Sequence, residues 1–387
     1  MVDLNKEIKL GDLFKRPNKQ KKAPRAPKAA SKPKVAKKQE LVGLKVGASQ
    51  IAASRVMNDH GARLLQLART PLNPGIVVAG EVRDVEGLGR ALDRFFTDHK
   101  LPRRGVRLGI GTNRVGVRAL NVEGIEDERQ LGNAVRFRAH EALSIPIDQA
   151  VLDYHVVGET ADESGAITRH VILAAAYKEP IDHYVEACKL ARIELMGIDL
   201  EAFALLRAVG PAVSTNGAGP AAVVALSLGH DRSTLAISDG TVCEFTRVLE
   251  WGGAKLENAV GRELGLTDEE AADLKYQVSL LEEPAADADP RLVRARAAIQ
   301  REIQTLAREL VASLQFYQTQ PGSLPIAEIL VTGGTSQLPG LVEELERLTR
   351  ARVRLADPLA GVRVERGVDE RNDLASLAVA IGLGVEA

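Results

Sequence analysis

Cysteine and long apolar runs are scarce in this sequence, and their scarcity excludes several classes of protein. The only cysteines among 387 residues are Cys188 and Cys243, which lie far apart in apolar surroundings. Two such residues form neither a disulfide framework nor a metal-ligand cluster, which fits a reducing compartment. No apolar run approaches the roughly 18 residues that a membrane-spanning helix needs, and the first residues lack the apolar core of a secretory signal. The composition therefore predicts a cytoplasmic protein.

Aromatic residues are also scarce, at 3% of the chain, although 45% of the residues are hydrophobic and 27% are charged. Leu, Val, Ile and Ala must therefore fill the interior. The chain is longer than one compact domain usually needs, so its length predicts two cores of ordinary size. The seven histidines show no shared spacing with acidic residues or cysteine, so we predict no metal site.

The net charge of -1 hides an uneven distribution of charge. The first forty residues contain thirteen lysines and arginines but only four acidic residues. Alternating Lys, Ala and Pro offer no apolar surface to bury, so residues 1–40 are predicted to form a disordered basic tail. Alternatively, Leu4, Ile8 and Phe14 form a short docking helix on a basic tether. Because aromatic residues are not interleaved with the basic ones, we predict no nucleic-acid partner.

After the tail, the apolar pattern predicts alternating strands and helices of the α/β class. Three apolar segments separated by tight turns predict an antiparallel meander over residues 41–72, and helical spacing of apolar residues follows over 84–99. A Gly/Pro-rich segment at 210–220 is the best candidate for a boundary between two lobes. A second meander follows that boundary, and a duplicated unit of this kind indicates two similar lobes. A long amphipathic helix is predicted at 291–317.

Three glycine-bearing turns form the candidate binding site. Each follows an apolar strand, and a missing Cβ lets backbone N–H groups approach a phosphate. Two such hairpins facing each other across a cleft would hold a polyphosphate from both sides. One glycine turn alone only reverses the chain, but three in this order, with a duplicated meander, predict a nucleotide site. The candidate contacts in these turns are Lys45, Gly47, Ala48, Ser49, Gly229, His230, Ser233, Gly333, Gly334 and Thr335.

Several long phrases occur in a specific order along the chain, among them GLKVGASQIAASRV, IPIDQAVLDYHVVGE, FTRVLEWGGAKLENAV and ILVTGGTSQLPGLVEELERL. In these phrases the sequence resembles the PilM family of type IV pilus assembly proteins and, more distantly, the cell-division protein FtsA. The resemblance implies an actin-like α/β fold of two lobes with a small α+β subdomain inserted in the first lobe. The implied bounds are 41–103 and 196–210 for the first lobe, 104–195 for the insert, and 211–387 for the second lobe.

The resemblance also implies which residues would contact ATP, and here the sequence departs from the family pattern. Both phosphate turns of the family begin with Asp, but the corresponding residues are Lys45 and Ser227. Lys275 matches a nucleoside-contacting lysine, whereas Ala272 replaces the family's Glu, and Glu201 matches the acid that would orient an attacking water. Because Mg²⁺ usually needs carboxylates beside the phosphates, ATP is the implied cofactor without Mg²⁺, and hydrolysis should be weak. Lys45 would either contact a phosphate or pair with a nearby carboxylate.

By resemblance, the expected function is that of a scaffold rather than an enzyme. PilM-like proteins bind the cytoplasmic N-terminal peptide of the inner-membrane protein PilN through the insert and the adjoining lobe. We therefore expect recruitment to the cytoplasmic face of the inner membrane, with a PilN-like peptide as direct partner and PilO and the motor ATPases as indirect ones. Two alternatives stay open: an active ATPase of the actin and sugar-kinase fold, with Glu201 catalytic, and an FtsA-like division or filament scaffold.

Overall fold

The computed structural model describes residues 39–386 apart from 126, 143–144, 162–166, 210–219, 282–284, 286 and 369–372. The predicted tail lies outside the described residues, except that Gln39 and Glu40 already belong to the first strand. The predicted linker at 210–220 also lies outside them, apart from its last residue. Within the described part of the chain, no helix has both the length and the apolar composition that crossing a membrane requires.

The first part of the chain forms the predicted meander and helix. Asp84 caps that helix, because its carboxylate accepts the N–H of Gly87 at 2.8 Å. The elements are β1 Gln39–Val46, β2 Gln50–Asn58, β3 Ala62–Pro71, β4 Val77–Val78, β5 Glu81–Val82 and α1 Val85–Asp98.

The middle of the chain alternates strands and helices. On its first helix, the apolar face of Leu131, Val135 and Ala139 is buried against Val171 and Leu173. The elements are β6 Val106–Ile110, β7 Val115–Glu123, α2 Glu128–Ala142, β8 Ala150–Ala161, β9 Ile167–Tyr177, α3 Lys178–Leu190, β10 Leu195–Leu200 and α4 Glu201–Val209.

The last part begins with the second predicted meander and contains the predicted long helix. The elements are β11 Ala222–Leu228, β12 Ser233–Ser238, β13 Cys243–Leu249, α5 Gly253–Leu264, α6 Asp268–Lys275, α7 Pro290–Gln318, β14 Ile326–Thr332, α8 Leu341–Thr349, β15 Val353–Leu355, β16 Arg363–Val364 and α9 Leu374–Gly384.

The candidate turns lie at the corresponding edges of two large sheets, one turn in the first sheet and two in the second. The first sheet has the order β10-β6-β1-β2-β3-β16, and the second has the order β13-β12-β11-β14-β15. In the first sheet β1, β6 and β10 are parallel, so their carboxyl ends share one edge. In the second sheet β11 and β14 are parallel, so the turns after Leu228 and Thr332 are neighbours. Ligands of open α/β sheets bind outside the carboxyl ends of strands, which is where the candidate turns lie.

Helices α4 and α9 lie between the two sheets. Leu205 of α4 and Leu383 of α9 pack in one buried cluster with Val223 and Leu330 of the second sheet. On its other side, α9 packs against Ala52 of β2 in the first sheet. Both sheets therefore rest on the same pair of helices.

The predicted domain bounds stay predictions, and the sheet topology bears on two of them. Within the predicted insert, 104–195, only β7, β8 and β9 form the separate three-stranded sheet, because β6 pairs with β1 and β10. Within the predicted second lobe, 211–387, β16 pairs with β3 of the first sheet. At these two places the predicted bounds along the sequence therefore do not coincide with the bounds of the sheets.

Candidate functional site

A cleft of about 230 Å³ lies where the carboxyl edges of the two sheets face each other. It brings together residues that are spread over more than three hundred positions of the chain. Of the predicted site residues, those lining the cleft are Lys45, Gly47, Ala48, Ser49, Glu201, Gly229, His230, Lys275, Gly333, Gly334 and Thr335.

The glycine turns are built by short hydrogen bonds and close backbone contacts. The Gly47 N–H donates to the carbonyl of Gln50 at 2.9 Å, and the Gly229 N–H donates to the carbonyl of Arg232 at 3.1 Å. Gly333 has a φ of +93°, and a Cβ there would lie 2.3 Å from the carbonyl oxygen of Leu228. Only glycine fits that position, because an added side chain would collide with the backbone of the neighbouring strand.

Ser233 is the one predicted contact that does not line the cleft. Its side chain is buried, and its hydroxyl donates to the carbonyl of Trp251 at 2.6 Å. The next residue of β12, Thr234, lines the cleft instead. Side chains alternate between the two faces of a strand, so a shift of one residue moves a hydroxyl to the opposite side.

Glu201 lies at the floor of the cleft between two cations. Its Oε2 is 3.6 Å from Nζ of Lys45, and its Oε1 is 3.9 Å from Nη2 of Arg232. Glu201 is only 2% exposed, and Arg232 is 7% exposed. Of the two arrangements expected for Lys45, the structure shows the pairing with a carboxylate.

A second ion pair lies at the α5–α6 side of the cleft. The ammonium of Lys275 donates to Oε1 of Glu257 at 2.5 Å, and it also lies 4.5 Å from the centre of the Tyr276 ring. Lys275 is 3% exposed, whereas Tyr276 is mostly exposed. Glu257 comes from α5, so a carboxylate reaches this lysine from a neighbouring helix although Ala272 supplies none.

Sequence reasoning missed several charged cleft residues, among them Arg69, Arg232, Glu257 and Asp373. Arg69 of β3 lies 3.6 Å from Asp373, the N-cap of α9. These two residues are near opposite ends of the sequence, and no local pattern connects them. For Arg232 the sequence did contain an indication, because this residue lies in the predicted turn between Gly229 and Ser233.

The described residues do not fit a Mg²⁺ ion. No group of three or more His, Cys, Asp or Glu side chains in this part of the chain could hold a metal. The carboxylate at the floor, Glu201, already faces two cations, and Asp231 accepts the N–H of Ala79 at 2.9 Å. Mg²⁺ requires oxygen ligands in near-octahedral geometry, so a neighbouring ammonium and guanidinium oppose its binding.

The sheets and the cleft define an actin-like α/β protein. Among solved structures, the chain is similar to the ethanolamine utilization protein EutJ of Carboxydothermus hydrogenoformans, with a TM-score of 0.51, 15% identity, and coverage of 89% of each chain. It is also similar to MreB5 of Spiroplasma citri bound to AMPPNP, with a TM-score of 0.50, 11% identity, and coverage of 89% of this chain and 94% of that chain. At these identities the similarity shows the fold alone.

A family of type IV pilus assembly proteins matches nearly the whole described chain. Residues 43–387 match the family described as type IV pilus assembly protein PilM, so this chain belongs to the PilM family. A solved structure of a PilM–PilN type IV pilus biogenesis complex is similar with a TM-score of 0.73 and 24% identity, over 90% of this chain and 99% of that chain. The predicted family and the predicted actin-like fold are confirmed.

Proposed function

We propose that this protein is a scaffold that binds the cytoplasmic N-terminal peptide of a PilN-like inner-membrane protein. The carrying observation is that the chain belongs to the PilM family and is similar, over almost its whole described length, to the PilM–PilN complex. Through this peptide the protein would be held at the cytoplasmic face of the inner membrane. From there it would connect PilN and PilO to the pilus motor ATPases.

An apolar hollow of about 10 Å³, enough for one water-sized group, marks the junction of the small sheet with the first sheet as the candidate peptide site. It is lined by the end of β6, the start of β7, the end of β9 and one side of α3. Val115 and Ile181 supply apolar surface, and the guanidinium of Arg114 lies 5.0 Å from the centre of the Tyr177 ring at its margin. A bound peptide would gain affinity mainly from main-chain hydrogen bonds and from apolar contact with the surface around this hollow.

Replacing Ile181 by Glu should weaken peptide binding by roughly tenfold or more, because a charge would then replace an apolar wall of the hollow. The matched control is Leu190→Glu, an exposed leucine on the same helix outside the hollow. Fluorescence polarisation with a labelled peptide from the cognate PilN-like protein measures both affinities. Equal affinities of the two variants would place the peptide elsewhere, and a wild-type protein that does not bind the peptide would refute the scaffold proposal.

We further propose that the cleft binds a nucleotide and hydrolyses it little or not at all. The support is the pairing of Glu201, the predicted catalytic acid, with Lys45 and Arg232. Phosphoryl transfer depends on positioning and on neutralising charge at the phosphates. Glu201, the only acid predicted for the cleft, already forms ion pairs with two cationic side chains of the protein itself.

Phosphate release in the presence of ATP and Mg²⁺ should stay near the uncatalysed background. The double change Lys45→Asp with Ser227→Asp should leave peptide affinity unchanged, since both positions line the cleft and neither lines the hollow. A coupled phosphate assay and the peptide titration measure the two quantities. Turnover at an ordinary enzymatic rate that is lost in Glu201→Gln would favour the active ATPase over the scaffold.

A further inference from the structure

Arg232 contributes a guanidinium to the lining of the cleft. It lies in the β11–β12 turn, lines the cleft and is 7% exposed. Its Nε and Nη1 are buried and have no hydrogen-bond partner. Its ion pairs with Glu201 and Asp231 are 3.9 Å and 3.6 Å long, beyond hydrogen-bond range. The remaining nitrogen, Nη2, faces Glu201 at the floor of the cleft, so it is the donor that an acceptor on a ligand could reach.

Two glycines beside the cleft leave room for these charged groups. A Cβ on Gly80, in the β4–β5 turn, would lie 2.4 Å from Nη1 of Arg232. A Cβ on Gly111, after β6, would lie 2.9 Å from the carboxylate of Glu201. The Tyr184 hydroxyl donates to the Gly80 carbonyl at 3.1 Å, and burial raises the pKa of Tyr184, so this neighbour of Arg232 stays neutral. On this side the charge that compensates Arg232 is the carboxylate of Asp231, which lies 3.6 Å from Nη1 and accepts the N–H of Ala79.

We infer that the cleft binds the polyphosphate of its ligand without a divalent cation, with Arg232 and Lys45 making the contacts that a metal ion would otherwise make. The inference rests on the nucleotide-binding part of the proposed function and names its ionic form. A guanidinium presents a fork of donors that matches two phosphate oxygens, and Lys45 adds an ammonium from the facing wall. The 3.6 Å pairing of Lys45 with Glu201 lets the ammonium turn towards a phosphate while Glu201 keeps Arg232 in place.

Magnesium should weaken this binding rather than support it. A Mg²⁺ ion carried in on a triphosphate occupies the oxygens that Arg232 and Lys45 would contact. It would also lie next to two protein cations, which already pair with the carboxylates of Glu201 and Asp231. At the short separations of a buried site, repulsion between like charges is screened little by solvent.

Calorimetric titration of the full chain can compare ATP in EDTA with ATP in excess Mg²⁺ at matched ionic strength. We expect ATP in EDTA to bind roughly tenfold tighter or more, a difference of about 1.4 kcal/mol. Inorganic pyrophosphate in EDTA should also bind, whereas adenosine should bind weakly, which separates the phosphate contacts from the nucleoside. Binding that requires Mg²⁺, or no binding of either phosphate compound, would overturn the inference.

The variants Arg232→Gln and Lys45→Gln should each lose roughly tenfold or more of the affinity for ATP in EDTA, and Arg232→Lys should recover part of the loss. Arg83→Gln is the control, because it removes the same charge from an exposed arginine outside the cleft. If Arg232→Gln does not fold, Lys45→Gln and the wild-type comparison of EDTA with Mg²⁺ decide the question. Wild-type affinity in both glutamine variants would contradict the inference.

The peptide titration distinguishes the anion site from the peptide site. The folded Lys45→Gln variant should bind the PilN-like peptide with unchanged affinity, because Lys45 lines the cleft and not the apolar hollow. Loss of anion binding with intact peptide binding would confirm the two sites as separate. Loss of both in a variant with a normal melting curve would contradict the assignment of Lys45 to the anion alone.

Discussion

Replacing Glu201 by Gln should lower the free energy of unfolding by about 3–5 kcal/mol, the cost of removing one partner from a buried ion pair. Gln keeps the shape of the side chain but removes the carboxylate that lies between Lys45 and Arg232, which leaves Arg232 with Asp231 alone. Both carboxylate contacts are with largely buried cations, so solvent screens the loss only weakly. Urea denaturation followed by circular dichroism measures the change.

The control for this prediction is Glu186→Gln, an exposed glutamate in the middle of α3. It should change the free energy of unfolding by less than about 0.5 kcal/mol. The double change Glu201→Gln with Lys45→Met should cost less than the sum of the single changes, since it removes a cation together with its partner. A catalytic residue is often destabilising in the free protein, so unchanged or increased stability in Glu201→Gln would favour a catalytic role over the structural one.

Replacing Gly382 by Ala should destabilise the protein by about 3 kcal/mol, the upper end of the range for overpacked interiors. The new Cβ would lie 1.8 Å from the carbonyl oxygen of Ala204, so α9 would have to move away from α4. The contact involves backbone atoms, which cannot rotate aside as a side chain can. Because both sheets rest on α4 and α9, the displacement would disturb the packing on both sides.

Gly361→Ala provides the matched control for Gly382→Ala. A Cβ at Gly361 would find no neighbouring atom closer than 3.8 Å, the carbonyl of Arg207. We expect it to change the melting midpoint little, and a gain is as compatible with the structure as a small loss. Thermal melting of the two variants side by side gives the answer. Equal midpoints would show that α9 can shift without cost and would remove the argument that it is packed rigidly between the sheets.

The positions of the glycine turns were predictable because they depend on short patterns. An apolar strand followed by glycine marks the end of a strand wherever it occurs, and the structure places Gly47, Gly229 and Gly333 at the cleft. That Ser233 does not line the cleft was not predictable from a short sequence pattern of this kind. The sequence does not fix the residue at which β12 begins after the turn at Gly229, and a shift of one residue reverses which side chains face the cleft. Only the pairing of β11 with β12 fixes this register.

The extent of the small sheet was harder to predict from the sequence than its existence. The apolar alternation in β7, β8 and β9 predicts strands, and the structure contains them. Which sheet a strand joins depends on its neighbours in space, and β6 pairs in parallel with β1 rather than with β7. Strand periodicity carries no information about that choice.

The sequence by itself determined the order of strands and helices, the family and the turns that form the cleft, because each of these follows from patterns within a few residues or from long matching phrases. The tertiary structure alone decided the partners of the charged groups. Lys45 was expected to meet a phosphate or a carboxylate, and Arg232 carried no expectation, until the fold brought both beside Glu201. The physical reason is that the energy of a charge depends on its burial and its neighbours in space, which separation along the chain does not reveal.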